Sequence, residues 1–371
     1  MRKIFIYSVI SCCLLSLSLI SMSMSQDTIK GKWTAKVKDD TITMRMTVIE
    51  DKDKGSCHDW NYCRTFKKGD FTGLIWDKTQ PFKLVREPGT ISFNGKVSNK
   101  NGEGDFTFYP DKKFIEFLES KNFDDITSKK LLVLCLSDVN TRYVNDLFKL
   151  GYSGISLSKL IAFAIHDISI GYIKGLQNLG YSDLSASKLI AFAVHDISVE
   201  YIKKIHSLGF KDISPSKLVS FRVHDVEAEY IKELRDLGYS DISASNLISF
   251  AVHDITVEYI KEIHSFGFKD ISPSKLVSFR VHDVEPEYIR ELRDLGYSDI
   301  SASKLISFAV HGVSIGFIKE IHSVGFKDIS PSKLISFRVH GIDKDYIKYV
   351  QSKWDKEVSA NKVISLKIHD Y

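Results

Sequence analysis

The sequence predicts an α+β multidomain chain: a small antiparallel β domain followed by an α-solenoid of 29-residue helix-hairpin repeats. Three observations carry this. A histidine preceding Asp or Gly recurs at His166, His195, His224, His253, His282, His311, His340 and His369, with a constant step of 29 residues. An aromatic register of Tyr143, Tyr172, Tyr201, Tyr230, Tyr259, Tyr288, Phe317 and Tyr346 keeps the same step. Self-similarity at such a period marks one supersecondary unit stacked many times. Ahead of the array, residues 27–110 instead alternate polar and apolar at period two, as half-buried strands do.

Of 371 residues, 43% are hydrophobic and 26% charged, ordinary for a globular protein. The 51 basic residues nearly balance 47 acidic ones. A nucleic-acid binder clusters Lys and Arg without matching acids, so no nucleic-acid partner is expected. Residues 1–25 read as an export signal, with Arg2-Lys3, an apolar run from Ile4 to Ile20, and small residues at 23 and 25 suited to cleavage before Gln26. The chain is therefore expected outside the cytoplasm: periplasmic, outer-membrane-associated or secreted. Val9-Ile10-Ser11-Cys12 also fits a lipobox, so a lipid anchor at Cys12 is a rival, as is an uncleaved anchor.

After cleavage, Cys57, Cys63 and Cys135 remain. An oxidising compartment permits a Cys57–Cys63 disulfide closing a short loop. Cys57, His58 and Cys63 offer three metal ligands but no paired C-x-x-C to complete a tetrahedron, so no metal is expected.

In the β domain, Gly31–Val37 and Thr41–Val48 alternate cleanly across a turn at Asp39-Asp40. Further strands are expected at Phe71–Trp76, Phe82–Arg86, Thr90–Val97 and Gly104–Tyr109. Glu87-Pro88-Gly89 and Asn99-Lys100-Asn101-Gly102 separate them, and Asn-Gly is a strong hairpin signal. Six or seven strands with tight turns suggest a meander, a sandwich or a partly open barrel. The polar stretch from Glu50 to Lys68 reads as a long loop. Gly31-x-Trp33 resembles the opening of lipocalin-type barrels, which implies a small apolar ligand; a tryptophan plugging one end of the core is the simpler reading.

Pro110 ends the β region, and the array over 111–371 follows without a linker, so the β domain should pack on the first unit. Nine units are expected. The first is degenerate, with Asn122 in place of Gly and Ser137 in place of His; the last is a cap, with Trp354 and Asp355 replacing the Gly-aromatic pair. Within the unit from Ser198 to Val226, Ser198 caps a helix whose stripe is Tyr201, Ile202, Ile205 and Leu208, and Gly209 ends it. After the turn Phe210-Lys211-Asp212-Ile213, Ser214-Pro215 starts a second, more apolar helix that His224-Asp225 closes. Helices of about ten residues are marginal alone, so each stripe must be covered by adjacent units, predicting a curved rod of two helical layers.

A longer period of 58 residues hides in the array. Units carrying His206, Lys211, Pro215 and Arg222 alternate with units carrying Arg235, Ser240, Ala244 and Ala251. The alternating set, His206, His264 and His322 with Arg222, Arg280 and Arg338, is expected to be partly exposed and is the best candidate for a binding face. Charge reversal at the three arginines should then weaken partner capture with little change in melting temperature. The His-Asp pairs suit helix C-termini better than metal: neighbouring units stand about 8–10 Å apart, while ligands sit about 2 Å from a shared ion. No catalytic motif such as H-E-x-x-H or G-x-S-x-G occurs, so no enzyme and no cofactor are expected.

The unit, typified by Glu200-Tyr201-Ile202-Lys203, Gly209-Phe210-Lys211-Asp212-Ile213-Ser214 and Val223-His224-Asp225, resembles helical repeats of exported bacterial proteins. It also looks like repeats appended outside the membrane to some BlaR-type sensor peptidases. Phe82-x-Leu84-x-Arg86-x-x-Gly89-x-Ile91-x-Phe93-x-Gly95 resembles the β domain that precedes such repeats. No peptidase motif accompanies them, so no proteolytic role is implied. The resulting expectation is a protein- or peptide-binding scaffold or sensor module of the bacterial cell envelope. The alternative is a small-ligand or glycan binder using the β domain, with the repeats as spacer.

Overall fold

The structure, a computed structural model, describes residues 28–49, 60–354 and 357–369. The export signal, Cys12, Cys57, His58 and Asp355 lie outside the described residues. Seven strands form one antiparallel, curled sheet: β1 (Ile29–Lys38), β2 (Thr41–Val48), β3 (Trp60–Lys67), β4 (Phe71–Thr72), β5 (Thr79–Arg86), β6 (Gly89–Val97) and β7 (Asn101–Pro110). Their order, β3-β2-β1-β7-β6-β5-β4, is that of an up-and-down barrel left open between β3 and β4. Phe66 on β3 and Phe71 on β4 meet across the opening with centroids 5.4 Å apart. Trp33 stands edge-on to Phe82 and Phe93, which stack on each other at 5.0 Å. Aromatic side chains thus fill the interior, and Trp33 is a core plug whose Nε1–H donates to the Asp105 carbonyl at 3.1 Å.

Three expectations for this domain are corrected. The stretch from Glu50 to Lys68 is not all loop, because Trp60–Lys67 pairs with β2 from Val48↔Trp60 to Thr41↔Lys67. Alternation was present in Tyr62, Arg64 and Phe66, but a charged arginine on the inward row masked it. The strand expected over Phe71–Trp76 stops at Thr72, where Gly73 takes φ +80° and turns the chain. Asn101-Gly102 is not the hairpin tip. It opens β7 opposite Val97, and glycine is required because a Cβ at 102 would lie 3.0 Å from the Trp33 ring.

Helices follow directly. In the first hairpin, α1 (Lys112–Ser120) is capped by Asp111 and α2 (Ser128–Leu136) by Thr127. In the second, α3 (Thr141–Lys149) is capped by Asn140 and α4 (Leu157–Ile165) by Ser156. The β5–β6 turn grips both hairpins. The Arg86 guanidinium donates to the carbonyls of Cys135 and Leu136 at 3.0 and 3.1 Å and pairs with Asp138 at 3.3 Å. A cation thus meets the negative end of α2. Next door, Glu87 accepts the Thr141 N–H at 2.7 Å, an anion at the positive end of α3. Cys135 donates to the Gly89 carbonyl, and burial pushes its thiol up to about 12, so it stays protonated. Arg64 pairs with Asp167 at the turn after α4. These ties place the β domain and the first two hairpins in one compact unit reaching Lys174; the remaining hairpins form a second from Gly175.

In the second unit each repeat is a pair of short helices, such as Val199–Ser207 and Pro215–Val223. The fully buried stripe is Ile202, Ile205, Leu218 and Phe221. Both helices end in the same device. Gly209 takes φ +86° and Asp225 φ +52°, after which Phe210 N–H reaches the Ile205 carbonyl and Val226 N–H the Phe221 carbonyl at 2.7 Å. This is the six-to-one Schellman closure, with an apolar residue folded back on the helix. It explains the His-Asp and His-Gly pairs: histidine is the C-cap, and the next position needs a left-handed residue, which Asp or Gly supplies. In the first unit Asn122, at φ +61°, takes the glycine's place. In the final pair Trp354, at the glycine's place in the sequence, stays extended at φ −132°.

Candidate functional site

The candidate residues divide into those that join neighbouring repeats and those that face outward. Arg222 stacks over the Tyr201 ring at 4.9 Å and bonds Glu227 at 2.6 Å. Its Nε–H also donates to the carbonyl of His195, the C-cap of the preceding second helix, at 3.2 Å. Arg280 repeats the set with Tyr259, Glu285 and the His253 carbonyl. Arg338 lies over Phe317 at 4.9 Å. The helix-capping role explains a local oddity. Glu227 and Glu285 occupy N-cap positions without capping, since their carboxylates serve the arginines, whereas Thr256 and Ser314 in the alternate units do cap.

The histidines form the same junction one layer over. Tyr181 donates its hydroxyl to the Ile213 carbonyl at 2.9 Å and meets His206 Nε2 at 3.2 Å, with the rings stacked at 5.9 Å. A hydroxyl already donating must accept from the ring, so His206 carries its proton on Nε2. Tyr239–His264 and Tyr297–His322 match it at 3.3 and 3.2 Å. Burial lowers the pKa of all three histidines and raises those of the three tyrosines to about 12. The next junction along uses a different lock: Arg235 donates to the Leu208 carbonyl at 2.6 Å, and Gln351 to that of Val324 at 3.0 Å. The 58-residue period is therefore an alternation of two kinds of junction. The six expected binding residues lie partly buried inside one kind, apart from the more exposed Arg338, and charge reversal at the arginines should lower stability, contrary to the sequence expectation.

The register aromatics are structural as well. The hydroxyls of Tyr201, Tyr230, Tyr259 and Tyr288 donate to the carbonyls of Val226, Ile255, Val284 and Val313, each 25 residues on. What faces outward escaped the sequence reading. In the second unit Val194, Val223, Val252, Val281, Val310, Val339 and Ile368 are between 48% and 57% exposed, one at the end of every second helix. Beside them Ser220, Ser278, Ser307 and Ser336 turn their hydroxyls onto the carbonyl four residues back. Their 29-residue spacing was legible, but helix two is apolar on most sides, and only packing reveals which side is left uncovered.

On the β domain, a cleft of about 870 Å³ is lined by Thr34, Lys36, Arg45, Cys63, Lys96 and Glu103 among others. Cys63 is an exposed thiol there, and its expected partner Cys57 lies outside the described residues. Among the described residues no cluster of three or more His, Cys, Asp or Glu could hold a metal ion, and no helix is long and apolar enough to cross a membrane.

No protein-family model matches this sequence, and no curated protein matches it. The fold and the surfaces therefore define the class: a β domain followed by tandem helical repeats.

Proposed function

We propose that the protein is a non-catalytic, exported scaffold or sensor module of the bacterial cell envelope whose repeats bind a protein or peptide. One observation supports this best: the ladder of half-exposed Val and Ile residues recurring with every repeat of the second unit. Apolar side chains at matched positions on successive repeats give a partner many equivalent contacts, the use to which stacked repeats are suited. The test is capture from envelope extract by the full chain and by V223K/V252K/V281K. Positions this exposed tolerate lysine without unfolding. A defined partner held by the wild type and lost by the folded variant is expected; equal capture by both overturns the reading.

A second reading rests on the polar cleft of the β domain, whose hydroxyl, amide and charged lining suits a glycan. An apolar ligand inside the barrel is disfavoured by the aromatic filling of its interior. Glycan-array binding abolished by Arg45→Ala and Lys36→Ala, and untouched by the valine changes, would favour it.

A further inference from the structure

We propose that the alternate repeats of the second unit carry open sockets for arginine side chains of the bound partner, at Ala251 and Ala309; this rests on the scaffold reading and names the chemistry of the partner. The template is internal. At one register position, four cations lie over the aromatic ring 21 residues earlier: Arg222 on Tyr201, Arg280 on Tyr259 and Arg338 on Phe317, each at 4.9 Å, and Lys367 on Tyr346 at 4.2 Å. At Arg222 and Arg280 the Nε–H also reaches the C-cap carbonyl of the preceding second helix, the negative end of that helix.

The two intervening repeats keep the ring and the helix end but lack the cation. Ala251 and Ala309 stand at the arginine position, 21 residues after Tyr230 and Tyr288. At the first of these, an open pocket of about 250 Å³ is lined by His224, Tyr230, Glu233, Ala251 and Glu258 among others. No described residue donates to the His224 carbonyl, the counterpart of the His195 carbonyl that Arg222 fills. Glu227, the carboxylate that holds Arg222, is replaced by Thr256, but Glu233 and Glu258 stand at the pocket edge with no described ion-pair partner. The site therefore offers a planar cation a ring face, a carbonyl at a helix end and a carboxylate, as the filled sockets do. Lys367 occupies the corresponding position one 58-residue step beyond Ala309, so this kind of repeat also accepts a cation over its ring.

Sockets in alternate repeats lie two helix spacings apart, about 20 Å. An extended peptide rises about 3.3 Å per residue, so arginines about six residues apart reach both at once. The probe is a labelled peptide with two arginines six apart, beside its citrulline and lysine versions, titrated against the full chain by fluorescence anisotropy. Expected is binding of the arginine peptide at least tenfold tighter than of the citrulline peptide, with lysine between. A251R/A309R, which supplies the chain's own guanidinium, should reduce binding at least tenfold with an unchanged or higher melting temperature. As an independent arm, R280A opens a third socket and should tighten binding. Equal binding of arginine and citrulline peptides, or no effect of either variant, overturns the sockets. Envelope capture that depends on the valine ladder but not on A251R/A309R would sink the sockets alone and leave the scaffold standing.

Discussion

His206, His264 and His322 show how the sequence gives a residue's position on a helix without giving the neighbour it meets. Their 58-residue recurrence is plain in the sequence. Periodicity locates a side chain on a helix but does not say whether it faces water or the next helix. Here each ring stacks on a tyrosine of the preceding repeat, and burial holds its pKa below the usual value. The sign follows from linkage: the unfolded chain binds the proton more readily, so stability rises with pH over the window where the two states differ. The contribution of these histidines is fully present above about 6.5, the unfolded value, and is lost as pH falls through the lower folded values. Urea midpoints should therefore drop between pH 7.5 and 5.5, and a His206→Gln, His264→Gln, His322→Gln triple variant should show a clearly flatter profile. A triple variant with the wild-type slope would show that these rings do not carry the effect.

Among the elements, helices were the more legible because caps and left-handed closures are local. Ser214-Pro215 and Gly209 each fix a boundary from one or two residues, and all nine hairpins lie where the spacing puts them. His224-Asp225 was legible as the close of the second helix, but the positive φ that requires Asp or Gly after the histidine is visible only in the backbone. Strand β3 was missed because its inward row includes Arg64, which leaves the sheet to pair with Asp167. One tie between sheet and helices is Arg86, whose side chain is 15% exposed and donates to two carbonyls at the end of α2. Charge-assisted hydrogen bonds of this kind contribute about 1.5–3 kcal/mol each. Arg86→Ala should cost the first compact unit about 2 kcal/mol, and Arg86→Lys less, read as a shift in the urea midpoint of the near-UV signal. An unchanged midpoint for the alanine variant would mean that the sheet is held on the helices by apolar contact alone.

Across the whole molecule, fold class and repeat number were open to sequence reasoning because each of nine copies repeats the same signals, while the candidate surface was not. The duplication conserves chemistry at positions facing a neighbouring repeat and at positions facing solvent alike, and only geometry separates them. The alternating His, Arg and Glu residues lock repeats together, and the Val and Ile ladder, half exposed, is the surface proposed for a partner. Unfolding of a repeat array is a sum of local and nearest-neighbour terms, so changes at three equivalent junctions should accumulate. The most direct measurement compares chemical unfolding of R222A/R280A/R338A with that of V223S/V252S/V281S. Removing Arg222 or Arg280 leaves a helix-end carbonyl without its donor, a loss of about 1–3 kcal/mol each, and removing Arg338 uncovers the Phe317 ring, whereas half-exposed valines cost far less. The account predicts a large fall in midpoint for the arginine variant and a small one for the valine variant; equal falls, or the reverse order, would contradict it.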